Sequence, residues 1–347
     1  MIGIMSGTSL DGIDFAFVRF HKSNSWTYTI KKTETIAYSD AWLGKLQRLI
    51  FLNETELEEV NKDYTAYLGL QIKHFIDKHN LTGIDAICSH GHTAVHQPDQ
   101  GVTLQLGNLP QLVKAIGLPV VCDFRKQDVA LGGQGAPLVP IGDQKLFSDY
   151  DVCINFGGIV NLTFPNEEHP IAFDIGGFNL VYNKYSQLEG MAYDDEGKLA
   201  KSGQLISKLE QELQQLAYYQ KPPPKSLGVE WLDENIYPIL EHYLNTYTVA
   251  DILHTYTTHI TTIIASCLDY KNAILCTGGG VYNRFALLML QEKIKGHLFV
   301  PNASLIEYKE ALVFGLLGVL RLLEEPNCLA SVTGAPKDHS SGEVYFP

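Results

Sequence analysis

Along most of the chain, apolar residues come in short runs broken by glycine-bearing turns, and only a few longer stretches switch to helical spacing. Residues 2–5 form an apolar run of strand length, residues 7–12 a Gly-rich turn, and Asp14-Phe-Ala-Phe-Val-Arg-Phe a second run. Residues 26–36, rich in β-branched and aromatic side chains, predict a third strand. Helices are expected over 41–52 and 57–79, the second because Leu57, Val60, Tyr64, Tyr67, Leu68, Ile72 and Phe75 recur at helical spacing. Ala86-Ile-Cys-Ser then reads as a strand ending in a loop at His90-Gly-His-Thr, followed by a short helix over 109–116 and the strand Pro119-Val-Val-Cys. The order repeats in the second half. Val152-Cys-Ile-Asn-Phe-Gly-Gly-Ile-Val-Asn-Leu-Thr-Phe is strand, turn and strand, and Ile171-Ala-Phe-Asp is a third strand. Helices follow, including one over 249–268, then the strand Ala273-Ile-Leu-Cys with its loop Thr277-Gly-Gly-Gly, the strand Leu298-Phe-Val-Pro and a last helix over 309–325.

This double succession of strands and helices predicts an α/β protein of two domains with mixed sheets. The expected halves are β-β-β-α-β-α-β-α units facing a cleft, the architecture of actin-like and hexokinase-like ATPases; this step is fold-level analogy. The boundary is expected in the stretch Leu131-Gly-Gly-Gln-Gly-Ala-Pro-Leu-Val-Pro140, giving domains 1–131 and 132–325, with the tail 326–347 returning to pack on the first.

Length and composition agree. With 347 residues, 45% apolar and 19% charged, the chain can build two cores and is not a disordered sequence. A net charge of -13 excludes the basic footprint of a nucleic-acid binder. An acidic protein that handles phosphate needs local donors, such as backbone N–H groups and Mg2+. No apolar run is long enough for a membrane span, and the N-terminus lacks the features of a secretory signal, so a cytoplasmic protein is expected. Cys88, Cys122, Cys153, Cys267, Cys276 and Cys328 are scattered without a CxxC pair, and read as thiols in a reducing compartment rather than a disulfide set or a zinc site.

Five motifs carry candidate chemistry. Gly7-Thr8-Ser9-Leu10-Asp11-Gly12-Ile13-Asp14 can present backbone N–H groups and two hydroxyls to a phosphate. Asp11 and Asp14 repel phosphate directly and make sense with Mg2+ or its waters between. A polar hairpin without function is the competing reading. Asn155-Phe-Gly157-Gly158-Ile-Val-Asn161 is the equivalent turn of the second half, and Thr277-Gly278-Gly279-Gly280 leaves room for a flat ring or a phosphate. Asp123 and Arg125 follow a buried strand, where Arg suits a carboxylate or phosphate ligand or, equally, a structural pair with Asp. Asp174, in Phe173-Asp-Ile-Gly-Gly-Phe-Asn179, can act as general base or cap the next helix. His90, His92 and His96 lack companions at zinc-ligand spacing; one of them can hydrogen-bond a polar substrate, and for His96 a structural role is expected.

These motifs, together with Ser89-His-Gly-His-Thr93, Asp128-Val-Ala-Leu-Gly-Gly-Gln-Gly-Ala-Pro-Leu-Val-Pro140 and Val332-Thr-Gly-Ala335, resemble those of the anhydro-N-acetylmuramic acid kinases from Gly3 to about Ala335. The resemblance implies a peptidoglycan-recycling enzyme, a homodimer, that takes ATP, Mg2+, water and 1,6-anhydro-N-acetylmuramic acid. It would open the anhydro bridge and phosphorylate the 6-oxygen. It implies Asp174 as catalytic base and His92, Thr93, Asp123 and Arg125 on the sugar side. The sequence departs from the family pattern at Gly177, Phe178, Asn183, His92, Leu227 and Val229, around the expected sugar site. A kinase of another sugar or small acid, or a silent nucleotide or muropeptide sensor, are the alternatives.

Overall fold

The structure, a computed structural model, describes residues 1–7, 10–167 and 169–347. It divides into two units, Met1–Leu146 with Tyr308–Pro347, and Phe147–Glu307. The divisions fall at 146/147 and 307/308, where the sequence led us to expect 131/132 and 325/326.

In the first unit the strands are β1 (Ile2–Ser6), β2 (Ile13–Lys22), β3 (Trp26–Ile36), β4 (Ile87–Gln97), β5 (Val102–Leu106) and β6 (Val120–Cys122). The second unit holds β7 (Val152–Phe156), β8 (Ile159–Phe164), β9 (Ile171–Gly177), β10 (Ala273–Thr277) and β11 (His297–Phe299); β12 (Glu343–Tyr345) returns to the first. The first sheet runs β12-β6-β4-β1-β2-β3, with β5 paired to β4, and the second runs β11-β10-β7-β8-β9. In each, the first three strands form an antiparallel meander, and two later strands add in parallel on the other side of the first. That duplicated order is the actin-like, hexokinase-like ATPase topology. The tail enters the first sheet through β12, antiparallel to β6.

Local chemistry accounts for the elements. The helix Glu54–Lys78 starts at a capping box in which Asn53 accepts from the Glu56 N–H and Glu56 from the Asn53 N–H. It buries Leu57, Tyr64, Leu68, Ile72 and Phe75 on one stripe against the first sheet. On the sheet's other face lies the C-terminal part of the helix Ala303–Leu322. The approach is so close that a Cβ on Gly3 would stand 1.8 Å from the Ala311 carbonyl, and one on Gly318 would stand 2.1 Å from Cys88 Sγ. The second unit has one large core in which Phe156, Phe178, Tyr182, Tyr256 and Ile260 pack between sheet and helices.

The expected loop at residues 90–93 is instead part of β4. Gly91 takes φ 76 there, and β5 pairs with His92, Thr93 and their successors, which keeps the strand going. Among the described residues no helix is long and apolar enough to cross a membrane. All six cysteines are free thiols.

Candidate active site

In the first unit the β1–β2 turn brings Asp11 to an exposed position and leaves Asp14 half-buried on β2. Thr8 and Ser9 lie outside the described residues. Leu10 takes a left-handed conformation (φ 61), and its N–H donates to the Gly7 carbonyl, which closes the turn. Gly12 packs so tightly that a Cβ would stand 2.6 Å from the Ile36 carbonyl. Asp14 Oδ1 accepts a 2.6 Å hydrogen bond from Thr35 on the neighbouring strand, and the Tyr308 hydroxyl lies 3.1 Å from the same Thr35 oxygen, which is free to accept from it.

Next to this turn, Ser6 Oγ bonds His92 Nδ1 at 2.8 Å and Tyr38 at 2.6 Å, and Tyr38 bonds Tyr64. Burial holds His92 neutral, with its pKa lowered to about 4. Thr93 follows on β4, half-buried. One strand over, Asp123 is buried with a left-handed backbone (φ 56); it accepts from Asn108 Nδ2 at 2.9 Å and pairs with Lys126. Arg125 makes no hydrogen bond to Asp123 or Asp128. Its Nε donates to His90 Nε2 at 2.9 Å and its Nη1 to the Gly135 carbonyl at 2.6 Å. His90 therefore carries its proton on Nδ1 and donates it to the Gly91 carbonyl. Burial first, and then the Arg125 charge, push His90 well below the ordinary histidine range. His96 bonds Thr103 at 3.0 Å. Two further polar atoms here are buried without a hydrogen-bond partner among the described residues, Gln105 Oε1 and Asn108 Oδ1. Sequence reading did not single out Gln105 or Asn108, which lie outside the five motifs, nor Lys126, which lies within the Asp123–Asp128 stretch but was passed over beside Asp123 and Arg125. Unpartnered buried acceptors next to fixed donors suit a hydroxyl- or amide-bearing ligand.

In the second unit the two glycine turns come together. Thr277 pairs with Asn155 across β10 and β7. Gly278 (φ 82) lies against the β7–β8 turn, where a Cβ would stand 2.4 Å from Asn155 Oδ1 and 2.9 Å from the Phe156 carbonyl. Asn179 Nδ2 donates to the Phe156 carbonyl at 3.2 Å, and the carbonyls of Gly157 and Gly158 accept from the backbone of residues 178–180. Gly279 is exposed and Gly280 packs on Phe178 and Phe156.

Asp174 lies on β9, opposite Asn161. The cap reading fails: the following helix is Asn179–Leu188, and Phe178 at its start gives no side-chain cap. Asp174 Oδ2 instead accepts from the Leu227 N–H at 3.1 Å, and its backbone is clamped by Tyr218, whose hydroxyl donates to the Asp174 carbonyl at 2.7 Å. Burial raises its pKa above the usual aspartate value, partly offset by the Leu227 N–H. Lys225 lies near, its ammonium 4.7 Å from the Tyr218 ring centre. Three of the six departures from the family pattern have structural explanations. Phe178 is fully buried on Phe156 and Tyr182, and Gly177 has no room for a Cβ beside Leu232 and Val181. Leu227 serves through its backbone, which any residue but Pro supplies. Asn183 is half-buried on the helix Asn179–Leu188, and Val229 is exposed.

The model of the family described as anhydro-N-acetylmuramic acid kinase matches residues 1–347. The chain belongs to the anhydro-N-acetylmuramic acid kinase family. It is 32% identical to the protein of that name from Hydrogenovibrio crunogenus, over 100% of this chain and 98% of the relative. It is 34% identical to that from Nitrosospira multiformis, over 99% and 98%. Among solved structures it is similar to component A of (R)-2-hydroxyglutaryl-CoA dehydratase from Acidaminococcus fermentans, with a TM-score of 0.47, 10% identity, and coverage of 90% of this chain and 94% of that one.

Proposed function

We propose that this member of the family is an ATP-dependent kinase that opens 1,6-anhydro-N-acetylmuramic acid with water and phosphorylates its 6-oxygen, giving N-acetylmuramic acid 6-phosphate and ADP. The observation that carries the reading is Asp174: a carboxylate set in a partly dry site, held by a backbone N–H, and engaged in no ion pair among the described residues. Such a group is suited to general base work. The bridged sugar has no free 6-hydroxyl. Asp174 takes a proton from water as the water oxygen bonds to the anomeric carbon; the bond from that carbon to the bridging oxygen breaks, leaving the electron pair on the 6-oxygen. That oxygen then bonds to the γ-phosphorus, and ADP leaves. Positioning and charge neutralisation carry the phosphoryl step.

The turns at 7–14, 155–158 and 278–280 are assigned to ATP and its phosphates. His92, Thr93, Asp123 and Arg125 are assigned to the sugar. The carboxylates of Asp11 and Asp14 are hard oxygen donors of the kind Mg2+ prefers, and the ion, when bound, would neutralise phosphate charge. The same reading places the protein in the cytoplasm, as a homodimer. The test is ATP turnover by the purified chain with and without the anhydro sugar, with the product's mass measured. Sugar-dependent ADP release and a product heavier by one water and one phosphoryl group are expected. ADP release supported only by another sugar acid would reassign the substrate, and no turnover with any would leave a binding protein. Light scattering tests the dimer.

A further inference from the structure

Beside the loop that anchors Arg125, Asp128, Cys328 and His339 converge in the first unit, all three buried. Cys328 and His339 are bridged through their backbones: the Cys328 N–H donates to the His339 carbonyl, and the His339 N–H to that of Cys328. Both therefore project from a fixed frame toward Asp128, 200 positions from Cys328 along the chain. Cys328 Sγ lies 3.2 Å and His339 Nε2 3.5 Å from Asp128 Oδ1. Ligands at zinc's bond lengths of about 2.0–2.3 Å in a tetrahedron stand roughly 3.3–3.5 Å apart, so the observed separations are those of a tetrahedral edge.

The histidine supplies an independent pointer. Its Nδ1 lies 3.1 Å from the Lys337 carbonyl, which can only accept, so Nδ1 carries a proton. Nε2 is buried, has no hydrogen-bond partner among the described residues and faces the carboxylate. A bare Nε2 lone pair against a carboxylate oxygen is repulsive unless a cation or a proton lies between, and an Nδ1–H bonded to a carbonyl is the usual support of a metal-bound imidazole. The other carboxylate oxygen is occupied by the Gly135 N–H at 2.7 Å, which orients Oδ1 inward, and Thr333 donates to Oδ1 at 2.7 Å.

We propose that Asp128, Cys328 and His339 bind a zinc-class divalent cation that ties the C-terminal segment to the loop anchoring Arg125. Carboxylate, imidazole and thiol suit Zn2+ far better than Mg2+. On binding, the Cys328 thiol releases its proton to solvent, and the two anionic ligands balance the ion's charge. A water or the Thr333 hydroxyl completes four-coordination. The site is independent of the kinase reading.

The test uses the tag-free full-length chain, stripped with chelator, incubated with ZnCl2 and desalted. About one zinc per chain should remain, falling at least roughly tenfold in Cys328→Ser and His339→Gln, and zinc should raise the melting temperature of the unsubstituted chain alone. Co2+ loading, which needs no variant, should give a thiolate-to-cobalt charge-transfer band. A chain that desalts free of metal, shows no band and melts unchanged would overturn the proposal in favour of a metal-free imidazolium–carboxylate contact. Undiminished zinc in both variants would overturn it too.

Discussion

Met5, Asp14 and Thr35 lie side by side across β1, β2 and β3; in the second unit Asn155, Asn161 and Asp174 hold the matching places across β7, β8 and β9. The backbone positions correspond, but the carboxylate has moved one strand outward. In the first unit it stands on the middle strand and accepts a hydroxyl from the third. In the second the middle strand offers an amide side chain, and the carboxylate on the third strand is held by a distant loop. A duplicated topology therefore supplies two equivalent sets of positions, and substitution within the register divides the work. On our reading one carboxylate serves the metal and phosphates, and the other handles water.

The sharpest way to break this division is Asp174→Asn. The amide oxygen can still accept from Leu227, so the shape survives while the base is lost. General base catalysis contributes about 10²–10⁴-fold, and kcat should fall by that order with ATP affinity by calorimetry nearly unchanged. Lost ATP binding would move Asp174 to the nucleotide; near-normal turnover would remove it from the mechanism. The raised pKa adds a signed expectation. A carboxyl whose folded pKa lies above its unfolded value stabilises the fold at pH below the unfolded pKa, and that contribution is lost as pH rises through the folded pKa. At pH 7 the variant should therefore melt higher than the unsubstituted chain, and the gap should close on acidification. The acid limb of kcat against pH should lie above the ordinary aspartate range.

The counterpart in the first unit is Asp14→Asn, with Asp11→Ala beside it. Interactions of a charged group are worth about 1.5–3 kcal/mol, so KM for Mg-ATP should rise roughly 10–100-fold with the fold retained. Unchanged ATP kinetics in a folded variant would take these residues out of the phosphate turn.

The third test concerns packing. Gly278→Ala places a Cβ against Asn155 and the Phe156 backbone, whereas Gly83, also at positive φ (67), has open space around it. Both variants bear the strain of a positive φ, and Gly278 bears more of it, because with ψ 155 it lies in a region nearly closed to residues with a Cβ. Gly278→Ala should cost about 1–2 kcal/mol more in denaturant unfolding, and weaken nucleotide binding as well. Equal costs would show that the two glycine turns of the second unit are not interlocked.

The meanders were readable because their apolar and β-branched residues come in local runs. The continuation of β4 through residues 90–97 was not, since it depends on pairing with β5. Nor was the change of unit at Tyr308, which falls inside the helix Ala303–Leu322 at a residue with φ -114. The apolar pattern runs on past it. Asp174 stood out in its motif, but its partner is a backbone N–H 53 positions away, and backbone groups leave no side-chain signature. The Arg125–Asp pair, which the sequence offered equally with a ligand role, gave way to Arg125–His90, because both Asp residues find other partners: Lys126 and Asn108 for Asp123, Thr333 and Gly135 for Asp128.

The smallest effect on turnover should come from His92→Gln, which replaces the imidazole with an amide of similar reach. His92 is buried against Ser6, and with its pKa at about 4 it is neutral at physiological pH. A glutamine amide can donate to or accept from the same hydroxyl, so KM for the anhydro sugar should change by no more than ~3-fold, within the net worth of one neutral hydrogen bond. The pH dependence discriminates further. A histidine whose folded pKa is depressed gives stability that is present above its unfolded value of about 6.5 and is lost as pH falls toward the folded value. Between pH 6.5 and about 4 the unsubstituted chain should therefore lose more melting temperature than His92→Gln. A sugar KM that titrates with a midpoint near pH 6.5 in the unsubstituted chain, and not in the variant, would show that His92 meets the substrate as a cation, and the neutral network with Ser6, Tyr38 and Tyr64 would have to be abandoned.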